Sequence, residues 1–355
     1  MGPIAAMIQI QPPTCFDDVR SLVEAFPAAN ETAAAAARER ESTLTKPAGA
    51  LGRLEELCEW LCAWQGRHPP RTEKPLLCLF AGNHGIAGRG VSAYPVEVTS
   101  QMVQNFINGG AAINQLCEQA DVEMRVHEMA LEKPTRDFTR EPALDESQCM
   151  EAMTYGMTSV EAGMDMLCLG EMGIANTTSA AALCAGLFGG KGKEWVGPGT
   201  GMAGKGLRLK ARVVDAGLAF HRGHLKDPLE ALRRLGGHEL AAITGAVLAA
   251  RLLSVPVLLD GFACTAAAAV LHALAKGSLD HCQVGHVSME PGHRRLLEKI
   301  GKKALLDLSM RLGEGTGAVL ALGLVRSAVA CHTGMASFAE AEVSTKERSD
   351  DKHGG

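Results

Sequence analysis

The sequence predicts an α/β protein built on a parallel β-sheet with helices on both faces. Three observations predict it. Short unbroken apolar runs recur at residues 76–80, 166–169 and 255–259. Each passes into a glycine-containing turn and then into a helical pattern. Alanine is abundant, as are the 40 glycines, and such small residues suit helices packed closely on a sheet. Strands buried on both faces read as continuous apolar runs rather than as an alternation, and helical crossovers between them make the sheet parallel.

The elements follow in order. Residues 1–13 read as a loose lead-in. Asn30 caps an alanine-rich helix that runs to about Thr43. Lys46-Pro47-Ala48-Gly49 breaks it. Leu51, Leu54, Leu57, Leu61 and Trp64 then recur at helical spacing, giving an amphipathic helix that ends near Gly66. His68-Pro69-Pro70 marks a boundary. The run 76–80 is the first strand, and 122–126 is a weaker one. The run 166–169 leads through Gly170-Glu171-Met172-Gly173 into an alanine-rich helix. Residues 240–253 form a buried helix interrupted by Thr244 and Arg251. The strand 255–259 passes through Asp260-Gly261 into a helix over 264–275. Residues 283–287 give a fourth strand, and 318–329 a final helix. From Glu340 the chain is charged, and residues 346–355 are too polar to bury a core, so a disordered tail is expected over 339–355.

The bulk numbers exclude several function classes. At 355 residues and 37.3 kDa, one large domain with a smaller satellite is expected. A net charge of −5, with no basic stretch interleaved with aromatics, argues against nucleic-acid binding. No span offers the roughly 18 to 20 uninterrupted apolar residues that cross a bilayer. The N-terminus lacks a secretory pattern, so a cytoplasmic setting is expected. The 11 cysteines form no CxxC pair; Cys58 and Cys62 are four apart on a helix. Cys78, Cys168, Cys184 and Cys264 sit in apolar surroundings, and buried free thiols are the better reading. Among the histidines there is no HExxH. His221 with His224 is the nearest pair, expected as an exposed loop pair rather than a metal site.

In parallel sheets ligands bind outside the carboxyl ends of the strands, at a topological switch point. Asn83, Glu171, Asp260 and Ser288 fall at such ends. Gly170-Glu171-Met172-Gly173-Ile174-Ala175-Asn176-Thr177-Thr178 joins a strand to a helix, whose N-terminal N–H groups suit either a phosphate or ordinary capping. It is neither a Walker loop nor a G-x-G-x-x-G. Val196-Gly197-Pro198-Gly199-Thr200-Gly201 is a second glycine-rich loop. Lys205 and Lys210 follow it, as phosphate partners or as solvated lysines. Arg311-Leu312-Gly313-Glu314-Gly315-Thr316-Gly317 places one carboxylate among glycines just before a helix. That setting suits an acid or base held against a small substrate. It also suits a plain helix start, where the dipole favours a glutamate. No GxSxG occurs. The adjacent acidic pair and threonine-rich turn of a metal-bound pyrophosphoryl sugar donor are missing too, which points to a donor carrying one phosphate.

Taken in order, Thr45-Lys46-Pro47, Gly52-Arg53-Leu54-Glu55, Gly82-Asn83-His84-Gly85, Gly90-Val91-Ser92, Gly109-Gly110-Ala111-Ala112-Ile113-Asn114, Gly170-Glu171-Met172-Gly173, Asn176-Thr177-Thr178, Leu259-Asp260-Gly261-Phe262 and Arg311-Leu312-Gly313-Glu314-Gly315 resemble the nicotinate-nucleotide–dimethylbenzimidazole phosphoribosyltransferase family. The resemblance covers about residues 15–338. It implies a doubly wound, Rossmann-like parallel-sheet domain (70–290). It also implies a small helical domain built from both chain ends (14–69 and 291–338), and a homodimer.

The implied reaction moves the 5-phosphoribosyl group of nicotinate mononucleotide onto 5,6-dimethylbenzimidazole in cobalamin assembly. It inverts C1′ and needs no metal or other cofactor. By the same resemblance Glu314 is the general base and Glu171 a second active-site acid. Gly173, Asn176, Thr177, Lys210, Ser288 and Arg311 hold the donor's phosphate and ribose. Tyr94, Met102, Met172 and Leu312 line the base pocket, and Asp260 and Asn83 position the site. The family often has aspartate at the position of Asn83, and some members have small or amide groups at those of Tyr94 and Met102. Adenine and other benzimidazoles therefore stand as alternative acceptors, and a non-catalytic nucleotide sensor on the same fold stands as the alternative to an enzyme.

Overall fold

The computed structural model describes residues 12–344. Its elements run in order α1 (Phe16–Glu24), α2 (Glu31–Thr43), α3 (Arg53–Gln65), β1 (Pro75–Ala81), α4 (Glu97–Ile107), α5 (Ala112–Gln119), β2 (Glu123–Glu128), α6 (Glu146–Thr158), β3 (Met166–Met172) and α7 (Asn176–Phe188). They continue with α8 (Lys205–His221), α9 (Pro228–Leu235), α10 (His238–Leu252), β4 (Val257–Leu259), α11 (Phe262–Leu274), β5 (Cys282–His286), α12 (Pro291–Ile300), β6 (Ala304–Leu306) and α13 (Thr316–Gly334).

The chain divides into two compact units, and their boundary falls inside α13. Among the described residues the first holds 12–28 and 73–322, the second 29–72 and 323–344. The sequence boundaries differ from this division at 70–72, which fall in the second unit, and more widely at 14–28 and 291–322. The two wider segments join the sheet because they share its core: Phe16, Val19 and Val23 of α1 and Leu296, Leu297 and Ile300 of α12 all belong to it. The expected lead-in of residues 1–13 and the disordered tail fall largely outside the described residues.

The first unit is a six-stranded, all-parallel sheet in the order β2-β1-β3-β4-β5-β6. From β1 the chain steps one way to β2. It then returns past β1 to β3 and continues outward. The switch point therefore lies between β1 and β3, where ligand crevices of open α/β sheets form. Every residue of β1 is buried, as its unbroken apolar run requires. Helices α6 and α10 pack at backbone contact, because a Cβ on Gly156 would strike the Ala242 carbonyl and one on Gly245 the Met153 carbonyl.

The second unit is helical. Asn30 accepts the Ala33 N–H at 2.9 Å to cap α2, and Gly66 ends α3 in the left-handed conformation. Lys46 bridges Glu41 at 2.9 Å and Glu55 at 2.8 Å. The end of α13 is tied back through Arg40, which donates to the Met335 carbonyl at 2.6 Å.

One sequence expectation changes, that for His221, and another needs a closer look. Helix α13 has 19 residues and is, by length and composition, apolar enough to cross a membrane. It is not an uninterrupted apolar run, because Arg326 falls inside it. Its Ala318, Val319, Ala321, Leu322, Val325 and Ala328 are buried within the protein. His221 is not an exposed loop residue: it is buried at the end of α8 and its Nε2 lies 2.9 Å from the Phe138 carbonyl. All eleven cysteines are free thiols, nine of them buried.

Candidate active site

The cavity at the carboxyl ends of β3, β4, β5 and β6 has a volume of about 330 Å³. One wall is the turn from β3 into α7. The residue before that helix, Ala175, has φ of +77°, and no side chain caps the helix. The opening N–H groups of α7 thus stand at the lining formed by Gly173, Ala175, Asn176 and Thr177. A helix N-terminus presented in this way carries positive potential toward an anion, although Asn176 N–H already donates to the Gly173 carbonyl at 3.2 Å and Thr178 N–H to the Ala175 carbonyl at 2.9 Å. Lys210 comes up from α8, buried, with its Nζ 2.7 Å from Thr177 Oγ1 and 3.0 Å from the Gly197 carbonyl. Burial pulls its ammonium down to about 8, against the pull of Glu290.

The second glycine-rich loop lies across the same end. Gly199 N–H donates to Glu290 Oε1 at 2.6 Å, and Arg311 donates to the Gly199 carbonyl at 2.8 Å. Thr200 Oγ1 meets Ser92 Oγ at 3.0 Å. Loop and strand ends are thereby held to one another by side chains far apart in sequence.

Opposite, residues 313–318 cross the ends of the central strands. This close approach requires glycine. A Cβ on Gly170 of β3 would lie 2.6 Å from the Glu314 carbonyl carbon and the Gly315 nitrogen. Gly313 and Gly315 have φ of +84° and +87°, and Glu314 between them takes φ of +68°. Asp260, fully buried at the end of β4, caps the helix that follows. Its Oδ2 accepts from Gly315 N at 3.0 Å, and its Oδ1 from Gly317 N at 2.7 Å and Ala318 N at 3.3 Å.

Three carboxylates thus converge. Glu314 is 4 % exposed and its Oε2 has no hydrogen-bond partner among the described residues. Burial pushes its carboxyl up to about 7, and the charge of Asp260 adds to this. Glu171 accepts a hydrogen bond from Asn176 Nδ2. Burial, then the charges of Asp260 and Glu239, push it up to about 8. Burial raises Asp260 as well, while His286 and the helix N–H groups oppose that rise. Such groups share protons rather than titrating singly.

Of the residues singled out in the sequence, Glu171, Gly173, Asn176, Thr177, Ser288, Arg311, Tyr94, Met172 and Leu312 line the cavity. Glu314 follows the lining residue Gly313, and Lys210 touches the lining residue Thr177. Asp260 stands behind, on the Glu314 turn. Met102 and Asn83 do not line it. Asn83 instead donates to the Leu131 carbonyl at 2.9 Å.

The sequence reading passed over His286 and Glu290, which line the cavity, and also over Glu239. Glu239 lies in a buried chain: Ser179 Oγ is 3.0 Å from His84 Nδ1, and His84 Nε2 is 2.7 Å from Glu239 Oε1. Its signal was a glutamate in the first turn of a helix whose every residue from His238 to Arg251 is buried. That of His286 was a histidine closing an apolar strand.

Comparison with known proteins gives one consistent result. A family model described as "Phosphoribosyltransferase" matches residues 26–343. A nicotinate-nucleotide–dimethylbenzimidazole phosphoribosyltransferase of Rhizobium meliloti (strain 1021) is 57% identical over 332 residues, covering 94% of this chain and 98% of that one. Its counterpart in Brucella anthropi is 54% identical over 329 residues, covering 93% and 97%. The crystal structure of CobT from Thermus thermophilus superposes with a TM-score of 0.82 at 41% identity, covering 89% of this chain and all of that one.

Proposed function

The chain belongs to the nicotinate-nucleotide–dimethylbenzimidazole phosphoribosyltransferase family, and from that premise we propose how its cavity carries out the transfer. The 5-phosphoribosyl group of nicotinate mononucleotide passes to 5,6-dimethylbenzimidazole, giving α-ribazole 5′-phosphate and nicotinate in cobalamin nucleotide-loop assembly. The donor phosphate lies at the start of α7, against Gly173 and Thr177, with Lys210, Ser288 and Arg311 supplying charge and donors. Asn176 and Glu171 hold the ribose. The benzimidazole enters beside Tyr94, Met172 and Leu312. Asp260 keeps the Glu314 turn in place by capping α13.

A neutral azole is a weak nucleophile, because attack through one ring nitrogen builds positive charge on the ring. Glu314 takes the proton from the other nitrogen as the new bond to C1′ forms. The C1′–N bond to nicotinate breaks on the opposite face, so the anomeric carbon inverts. The departing ring was cationic while bonded to the ribose, and it leaves neutral at that nitrogen. A carboxyl raised to about 7 suits a base working near neutral pH. Glu171, raised further, keeps its proton there and can donate it in a hydrogen bond to a ribose hydroxyl. The reading includes a cytoplasmic homodimer whose small domain helps to close the partner's cavity.

The observation that carries the reading is the Glu314 carboxylate. It is buried, has a free oxygen, and is held in a left-handed turn across the strand ends beside an uncapped helix N-terminus. The test offers nicotinate mononucleotide with dimethylbenzimidazole, benzimidazole and adenine, and reads products by mass spectrometry. Wild type is expected to form α-ribazole 5′-phosphate preferentially, and Glu314→Gln to lose about 10²- to 10⁴-fold in kcat. A Gln variant turning over at the wild-type rate would remove Glu314 from the chemistry. Adenine outcompeting the benzimidazoles would reassign the acceptor.

A further inference from the structure

His286 stands at the carboxyl end of β5 and lines the cavity, although only 1 % of its surface is exposed. Neither ring nitrogen has a hydrogen-bond partner among the described residues. That is unusual, because buried polar side-chain atoms are paired in the large majority of cases, and an orphaned one calls for an explanation. An imidazole with both nitrogens unpaired forfeits a donor and an acceptor at once.

Among the described residues the surroundings do not supply a partner. The Asp260 carboxylate is nearest, with Oδ1 3.5 Å from His286 Nε2. That separation is too long for a good hydrogen bond. Both Asp260 oxygens are also committed to the backbone N–H groups that open α13. Two glycines fix the ring's position. A Cβ on Gly261 would lie 2.9 Å from Nε2, and one on Gly317 would strike the Cγ–Cδ2 edge. The ring is therefore wedged between the end of β4 and the start of α13, and the edge left over carries Nδ1. Two residues on, Ser288 lines the same cavity.

We propose that His286 is a donor-binding residue, its imidazole hydrogen-bonding an oxygen of the bound ribosyl phosphate. This inference rests on the phosphoribosyl-donor reading of the cavity. The chemistry favours such a ligand. Glu171 and Glu290 line the cavity, and Glu314 and Asp260 adjoin it, yet the expected donor is an anion. A ring whose open edge carries Nδ1 gives that anion a donor where carboxylates otherwise dominate. It does so without the fixed charge of an arginine beside the Glu314 turn.

The test has a spectroscopic and a kinetic arm. Protein carrying ¹⁵N-labelled histidine is titrated separately with ribose 5-phosphate, inorganic phosphate and ribose, and the ring nitrogens are followed by long-range ¹H–¹⁵N correlation. His286→Gln and His286→Asn, each checked for folding by circular dichroism, assign the signals. The His286 nitrogens are expected to move with ribose 5-phosphate. A response to phosphate alone places the contact on the phosphate, and a response to ribose alone places it on a hydroxyl. In steady-state assays both variants are expected to raise KM for nicotinate mononucleotide about tenfold, the loss of one hydrogen bond, while KM for the base stays within about twofold. His286 nitrogens silent to all three ligands, with an unchanged donor KM in the variants, would overturn the inference. An active wild type with a silent ring defeats only the role of His286. An inactive wild type whose ring still answers ribose 5-phosphate defeats the transferase reading and leaves the donor contact standing.

Discussion

Glu314 adopts a φ of +68° between two glycines that take that region freely. An L-residue pays roughly 1–2 kcal/mol there. A buried carboxylate with an unpartnered oxygen adds its own desolvation cost. A glycine would satisfy the turn better, so the side chain is explained by chemistry rather than by stability. That chemistry has a pH signature. With the carboxyl near 7, kcat should climb as pH rises through neutrality, and the limb reports the coupled group of Glu314, Glu171 and Asp260. Stability runs the other way. The folded-state value lies above the ordinary glutamate value of 4.5, so the folded protein holds this proton more tightly than the unfolded chain does. The stabilising contribution is present in full below about 4.5 and is lost as pH rises through about 7. Glu314→Gln never ionises. It should be more stable than wild type at pH 8.5, by roughly 3 kcal/mol at most, with the margin shrinking toward pH 5.5. Urea denaturation at both pH values measures this, and a margin independent of pH would contradict the assigned burial cost.

At the scale of the element, the site is a matter of how β3 and the 313–318 turn touch. Gly170 makes that contact possible. Gly170→Ala should lift the turn off the sheet, cost about 1–3 kcal/mol as an overpacked core does, and lower kcat more than it raises the donor KM. Thermal unfolding and steady-state kinetics on the same sample check both parts; full activity at reduced stability would show that the turn need not rest on β3. Much of this architecture was legible in the sequence. Continuous apolar runs marked β1, β3 and β4 because both faces of those strands are covered, and β5 was read from the shorter, broken run at 283–287. The strand β6 has three half-buried residues and no such run. Helix α1 escaped because it has only nine residues, although Phe16, Val19, Leu22 and Val23 form its apolar stripe. The glycines around Glu314 could be read directly. The clasp of Asp260 on α13 could not, since it joins residues more than fifty positions apart. His286 was hidden for a different reason: its importance lies in what its ring fails to touch among the described residues.

Over the whole molecule, the cavity's rim is the unfinished part. Tyr94 and Leu312 line the cavity yet are each 55% exposed, and Met289 and Leu308 on the same carboxyl side are also exposed. Isolated apolar side chains on a surface need no explanation, but two that line a cavity while more than half exposed mark a surface that binds something. A flat aromatic base covers part of Tyr94 and Leu312. A second subunit covering the remainder would also exclude water from the reacting atoms, which strengthens the interaction between Glu314 and the ring proton. The proposed homodimer therefore predicts a sedimenting mass of twice the 37.3 kDa of one chain at micromolar concentration. It also predicts that specific activity falls on dilution, as subunits part. Leu312→Glu places a charge on the rim, and it should raise KM for dimethylbenzimidazole well beyond that for nicotinate mononucleotide. Sedimentation at the mass of one chain, with specific activity unchanged over a hundredfold dilution, would mean that a single chain closes its own base pocket.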